Sequence, residues 1–174
     1  MNNIILIGMP AAGKSTLGVL LAKERGMDFV DSDLVLQRRE GKKLYQIMRD
    51  EGTDGFLAME EETLCTLSLE HAVLATGGSA VYSERAMRRL LQSGLCVYLQ
   101  ISFDEWRRRL GNSRRRGVVL REGESLEELY AERIRLYERY AMLTIHMENE
   151  SVEDTVSRLL DMLDQMEKST SVQA

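Results

Sequence analysis

The sequence predicts an α/β domain with a parallel sheet covered by helices on both faces, and three observations carry that reading. Short apolar runs alternate with stretches of helical period along the whole chain. The first run ends in a glycine-bearing loop that opens directly into a helix. The 174 residues, 44% of them hydrophobic, suit one domain with a single sizeable core.

Taken in order, residues 3–7 (NIILI) are apolar throughout and stop at Gly8, as a strand buried on both faces does. From Lys14 to Glu24, Leu17, Leu20 and Leu21 recur at helical spacing. A strand over 28–30 follows Gly26. Helical stretches near 33–40, 44–51 and 54–70 come next, punctuated by Gly41 and Gly52. Residues 71–75 return to strand and close at Thr76-Gly77-Gly78. Residues 84–92 are helical, and 95–101 (LCVYLQI) form a strand. Ser102 is placed to cap a helix over 103–110, with Asp104 and Glu105 in its first turn. Residues 111–124 break the pattern with glycines and the run Arg114-Arg115-Arg116. Ser125 and Glu128 make a capping box for a long helix. A strand over 143–147 and an amphipathic helix over 152–166 complete one domain spanning 1–168, and 169–174 are expected to fray.

Composition narrows the function classes. The net charge of −5, from 23 basic and 28 acidic residues, argues against general binding to nucleic acid or anionic membrane. No run of apolar residues is long enough to span a membrane. The N-terminal run lacks the basic lead and small-residue cleavage site of a secretion signal. Cys65 and Cys96 read as small buried hydrophobes, which fits a reducing cytoplasm, and a monomer is expected. His71 and His146 form no metal-ligand spacing. Trp106 reads as core packing, and Glu60-Glu61-Glu62 as a solvated helix face.

Gly8-Met9-Pro10-Ala11-Ala12-Gly13-Lys14-Ser15-Thr16 matches G-x-x-x-x-G-K-[ST] between a strand and a helix. Its backbone N–H groups and the helix N-terminus suit the phosphates of ATP. Lys14 brings a positive charge to them, and Ser15 offers a hydroxyl to magnesium. Asp31 and Asp33 follow the second strand, where open α/β sheets place ligand contacts. One suits a magnesium-bound water and the other an acceptor hydroxyl. Ser32 or Asp33 would also serve to cap the following helix.

The loop, Asp31-Ser32-Asp33, Thr76-Gly77-Gly78-Ser79-Ala80 and the segment 131–141 (AERIRLYERYA) stand in the order and spacing of shikimate kinases, which the chain resembles over nearly its whole length. The resemblance implies a three-layer α/β/α P-loop kinase fold with a five-stranded parallel sheet and a lid at about 111–124. It also implies ATP and Mg2+ as cofactors and a hydroxyl of shikimate as phosphoryl acceptor. Asp33 would assist proton removal, while Asp31 would hold magnesium through water. Gly77, Gly78 and Ser79 would approach the substrate ring, and Arg133 would clamp its carboxylate. Arg116 matches the lid arginine that closes over the phosphates, and Arg109 lies near the adenine-side arginine. Two alternatives stay open: another hydroxylated metabolite as acceptor, or a nucleotide-binding protein that has lost transfer activity.

The chain departs from that family at defined places. Phe56-Leu57 stands where the family carries Phe-Arg, so a second carboxylate clamp is missing, and Arg49 and Arg115 are the cations considered as replacements. Arg116-Gly117-Val118-Val119 replaces Arg-Pro-Leu-Leu, Ser79 replaces a third glycine, and Arg135 replaces a proline. The family's adenine-loop pattern is not evident at 148–152.

Overall fold

A computed structural model of the protein describes residues 2–111, 118–121, 123–147 and 151–171. Strands β1 (Ile4–Ile7), β2 (Asp28–Asp31), β3 (Ala72–Ala75), β4 (Leu95–Gln100) and β5 (Leu143–His146) form one parallel sheet in the order β2-β3-β1-β4-β5. β1 lies at the centre because all four of its side chains are apolar and must be covered on both faces. It pairs with β3 on one side (Ile4↔Val73) and β4 on the other (Ile4↔Leu95). Strand β2 is an edge strand and is accordingly only partly buried.

The helices are α1 (Lys14–Arg25), α2 (Ser32–Glu40), α3 (Leu44–Thr66), α4 (Glu84–Ser93), α5 (Phe103–Leu110), α6 (Leu126–Tyr140) and α7 (Val152–Ser171). A short 3-10 turn, Ala80–Tyr82, precedes α4. The break expected at Gly52 is present inside α3, where this glycine takes a left-handed φ of 69° and divides the helix. The second half ends at Thr66 instead of 70. The Thr66 hydroxyl folds back onto the carbonyls of Glu62 and Thr63, a local competition that favours ending a helix. Conversely, α7 continues past 166 to Ser171, into the segment expected to fray. The capping box of Ser125 and Glu128 opens α6 as expected.

Most apolar side chains join one core around the sheet. A second, small cluster of Leu36, Ile47, Phe56 and Val119 lies between α2 and α3, with Leu57 and Met59 packed against it. Chain order reverses direction at β1, since β3 lies to one side and β4 to the other. The loop leaving β1 therefore opens into the crevice where such sheets bind ligands. Among the described residues no helix is long and apolar enough to cross a membrane.

Candidate active site

The loop after β1 is shaped by backbone conformations that most side chains resist. Gly8, Ala11 and Gly13 all have positive φ, at 145°, 63° and 103°. A Cβ on Gly8 would stand 2.6 Å from the carbonyl oxygen of Leu99, so a glycine is needed for this close strand crossing. At Ala11 the left-handed backbone costs about 1–2 kcal/mol, and such strain persists where surrounding contacts hold it. Those contacts come from α5. Trp106, fully buried, donates its indole N–H to Pro10 O at 3.0 Å, and Arg109 Nη1 donates to Ala12 O at 2.9 Å. Arg109 is itself held by Glu105 at 2.6 Å. Trp106 is thus a core residue, as expected, and also a brace for the loop.

Lys14 Nζ donates to Gly8 O at 2.7 Å and Met9 O at 2.8 Å. Burial lowers its pKa to about 8, against the raising influence of Asp33. Ser15 Oγ donates to Asp31 Oδ2 at 2.6 Å. The other oxygen of Asp31 accepts from the N–H groups of Asp33 and Leu34, so the cap of α2 is Asp31, not Ser32 or Asp33. The Ser32 hydroxyl instead accepts from Gly77 N at 3.0 Å. This division leaves the Asp33 carboxylate for the cavity. Burial, then the neighbouring Asp31, raises its pKa to about 6.

The loop after β3 lies flat between the phosphate loop and the acids. A Cβ on Gly77 would stand 2.8 Å from Asp33 Oδ1 and would collide with Glu60 Oε1. A Cβ on Gly78 would stand 2.6 Å from the ring of Pro10. Tyr137 fixes this loop from α6 by donating to Gly78 O at 2.6 Å.

Glu60 corrects the sequence reading, which placed it on a solvated helix face. It is 4% exposed, and burial pushes its pKa up to about 7, partly offset by a hydrogen bond from Ser79. Its Oε1 atom is buried and has no hydrogen-bond partner among the described residues. The signal was present in the sequence: Phe56, Glu60, Thr63 and Leu64 recur at helical spacing, and all four are buried.

One cavity of about 640 Å³ joins these parts, lined by Lys14, Ser15 and Thr16 together with Asp33, Glu60 and Gly77–Ser79. Arg133 is not among the residues lining it. That side chain is fully buried, donating to Val119 O at 2.9 Å and to the Tyr82 hydroxyl at 3.3 Å, with its guanidinium over the Tyr82 ring. Arg49 is paired with Asp50 at 2.8 Å, faces solvent and does not line the cavity, so it does not replace the cation missing at Leu57. Arg115 and Arg116 lie outside the described residues, as does half of the segment read as a lid.

The comparisons with known proteins agree with this arrangement. The family model described as shikimate kinase matches residues 10–164. A shikimate kinase of Vibrio vulnificus (strain YJ016) is 36% identical over 166 residues, covering 94% of this chain and 96% of the relative. One from Haemophilus influenzae (strain PittEE) is 35% identical over 169 residues, covering 94% and 93%. Among solved structures, a shikimate kinase from Acinetobacter baumannii in complex with shikimate superposes with a TM-score of 0.84 at 30% identity, covering 95% of this chain and 94% of the other. A gluconokinase from Sinorhizobium meliloti 1021, at 16% identity and a TM-score of 0.54, shares the fold. With a family match over most of its length and the phosphate loop facing an acid-lined acceptor cavity, the chain belongs to the shikimate kinase family.

Proposed function

We propose that the protein transfers the terminal phosphoryl group of ATP to a hydroxyl of shikimate, giving shikimate 3-phosphate. The observation that carries this reading is that Lys14 and Asp33 line one cavity and lie close enough for each charge to act on the other. Phosphoryl transfer asks mainly for positioning and charge stabilisation. The phosphate loop supplies N–H donors and Lys14 supplies the charge, while α5 holds the loop through Trp106 and Arg109.

Asp33 is the group that takes the proton from the acceptor hydroxyl. Its pKa of about 6 leaves it ionised near neutral pH yet more basic than an ordinary carboxylate. The Ser15 hydroxyl and Asp31 carboxylate, paired at 2.6 Å, are hard oxygen donors that fit Mg2+, directly or through water. When bound, that ion supplies charge neutralisation on the phosphates. Arg133 reaches a substrate carboxylate by exchanging its bond to the Val119 carbonyl, and Arg116 adds positive charge over the phosphates on closure. The enzyme works as a cytoplasmic monomer without nucleic acid or membrane. Incubation with ATP, magnesium and shikimate tests the reading: mass spectrometry is expected to find a phosphorylated acid, and its absence would contradict the proposal.

A further inference from the structure

The acceptor end of the cavity is short of positive charge. Asp33 and Glu60 both line it, and Glu60 brings a buried oxygen that meets no donor. Among the described residues lining the cavity, the cations are Lys14 and Lys43. Lys14 is held at the phosphate loop by two carbonyls. Arg133 does not line the cavity while it is bonded to Val119 O and the Tyr82 hydroxyl, and on the proposed reading it supplies one clamp. Position 57 carries a leucine packed into the small apolar cluster with Phe56 and Val119. A carboxylate entering beside Asp33 and Glu60 meets two desolvated carboxyl groups, unless a second cation joins Arg133.

We infer that Lys43 is the second cation: beside Arg133 it receives the acceptor's carboxylate and determines specificity for an acid. Lys43 stands at the N-terminus of α3 and lines the cavity with its neighbours Leu44 and Tyr45. Among the described residues its ammonium has no ion-pair partner, whereas Lys42 beside it is bound to Asp50 at 2.9 Å. Its alkyl stem suits an apolar wall such as Leu44 and Phe56, with the charged head kept at the wet rim. The first turn of α3 holds no acid, so the helix N-terminus adds a favourable field for an anion at the same place. Left-handed Gly41, with φ 64°, ends α2 just before this pair of lysines and turns the chain towards the start of α3.

This inference rests on the shikimate reading, and one experiment separates the two. Steady-state rates of the full chain are measured at saturating ATP with shikimate and with its neutral methyl ester. Lys43→Met is expected to raise KM for shikimate about 10-fold, the size of one charge-assisted contact at a partly exposed rim. The KM for ATP and the thermal midpoint stay at wild-type values, because Lys43 is exposed and makes no bond to the phosphate loop among the described residues. The variant loses the preference for acid over ester, Lys43→Arg restores most of it, and Lys42→Met has no effect. Unchanged KM and unchanged acid preference in Lys43→Met would overturn the inference and leave the shikimate reading standing. No turnover of shikimate by the wild type would overturn that reading, and this inference with it.

Discussion

Glu60 shows how one side chain links burial, charge and stability. Its carboxyl ordinarily titrates near 4.5, and in the folded protein burial moves this to about 7. Between those values the folded chain holds a proton that the unfolded chain has released, so stability falls as pH rises. The contribution is fully present below about 4.5 and lost above about 7. Ser79, Asp33, Arg133 and Lys14 are the groups that bear on it, and Asp33 adds a slope of the same sign. Glu60→Gln keeps an acceptor for Ser79 and removes the buried charge. Urea denaturation is expected to find the variant more stable than wild type by about 2–3 kcal/mol near pH 8, a gap that closes towards pH 4.5. A gap that is independent of pH would show that Glu60 is not a buried titrating group. Asp33, proposed above as the general base, stores the same kind of cost, and functional sites are where proteins retain groups that a purely structural optimum would replace.

At the scale of elements, α5 and the phosphate loop act as one unit. The chain's one tryptophan, Trp106, is bonded to Pro10 inside that loop. Intrinsic fluorescence is therefore expected to change saturably on titration with ADP, and a silent signal at saturating nucleotide would contradict the coupling. Most elements were legible in the sequence, because apolar runs such as NIILI and caps such as Ser125 with Glu128 act locally. The phosphate loop and the placement of Asp33 beside it were legible for the same reason, both being set by short spacings. Other features depended on contacts between distant segments. The cap of α2 went to Asp31 because its two oxygens face different partners, the α2 backbone and Ser15 from the neighbouring loop. Arg133, read as a substrate clamp, is bonded to the carbonyl of Val119, fourteen residues earlier in the chain. Nothing in local spacing announces either pairing. The role of Glu60 was hidden differently: three consecutive glutamates look like a solvated face, and the helical period that buries the first is visible only with Phe56 and Thr63.

For the whole molecule, topology explains why the parts meet. Placing β1 between β3 and β4 brings the loop after β1 beside the loop after β3, and pairing β2 with β3 brings Asp33 to the same end of the sheet. The small cluster between α2 and α3 includes Val119, so these two helices and the segment covering Arg133 are packed as one body. The central claim is that this assembled end of the sheet phosphorylates shikimate. Its most direct test is ADP release from ATP and magnesium, measured in a coupled assay with and without shikimate, for wild type and Asp33→Asn. The account predicts release that depends on shikimate and falls by about 10²- to 10⁴-fold in the variant, as expected for loss of a positioned general base. Release that is indifferent to shikimate, or that survives Asp33→Asn undiminished, would contradict it.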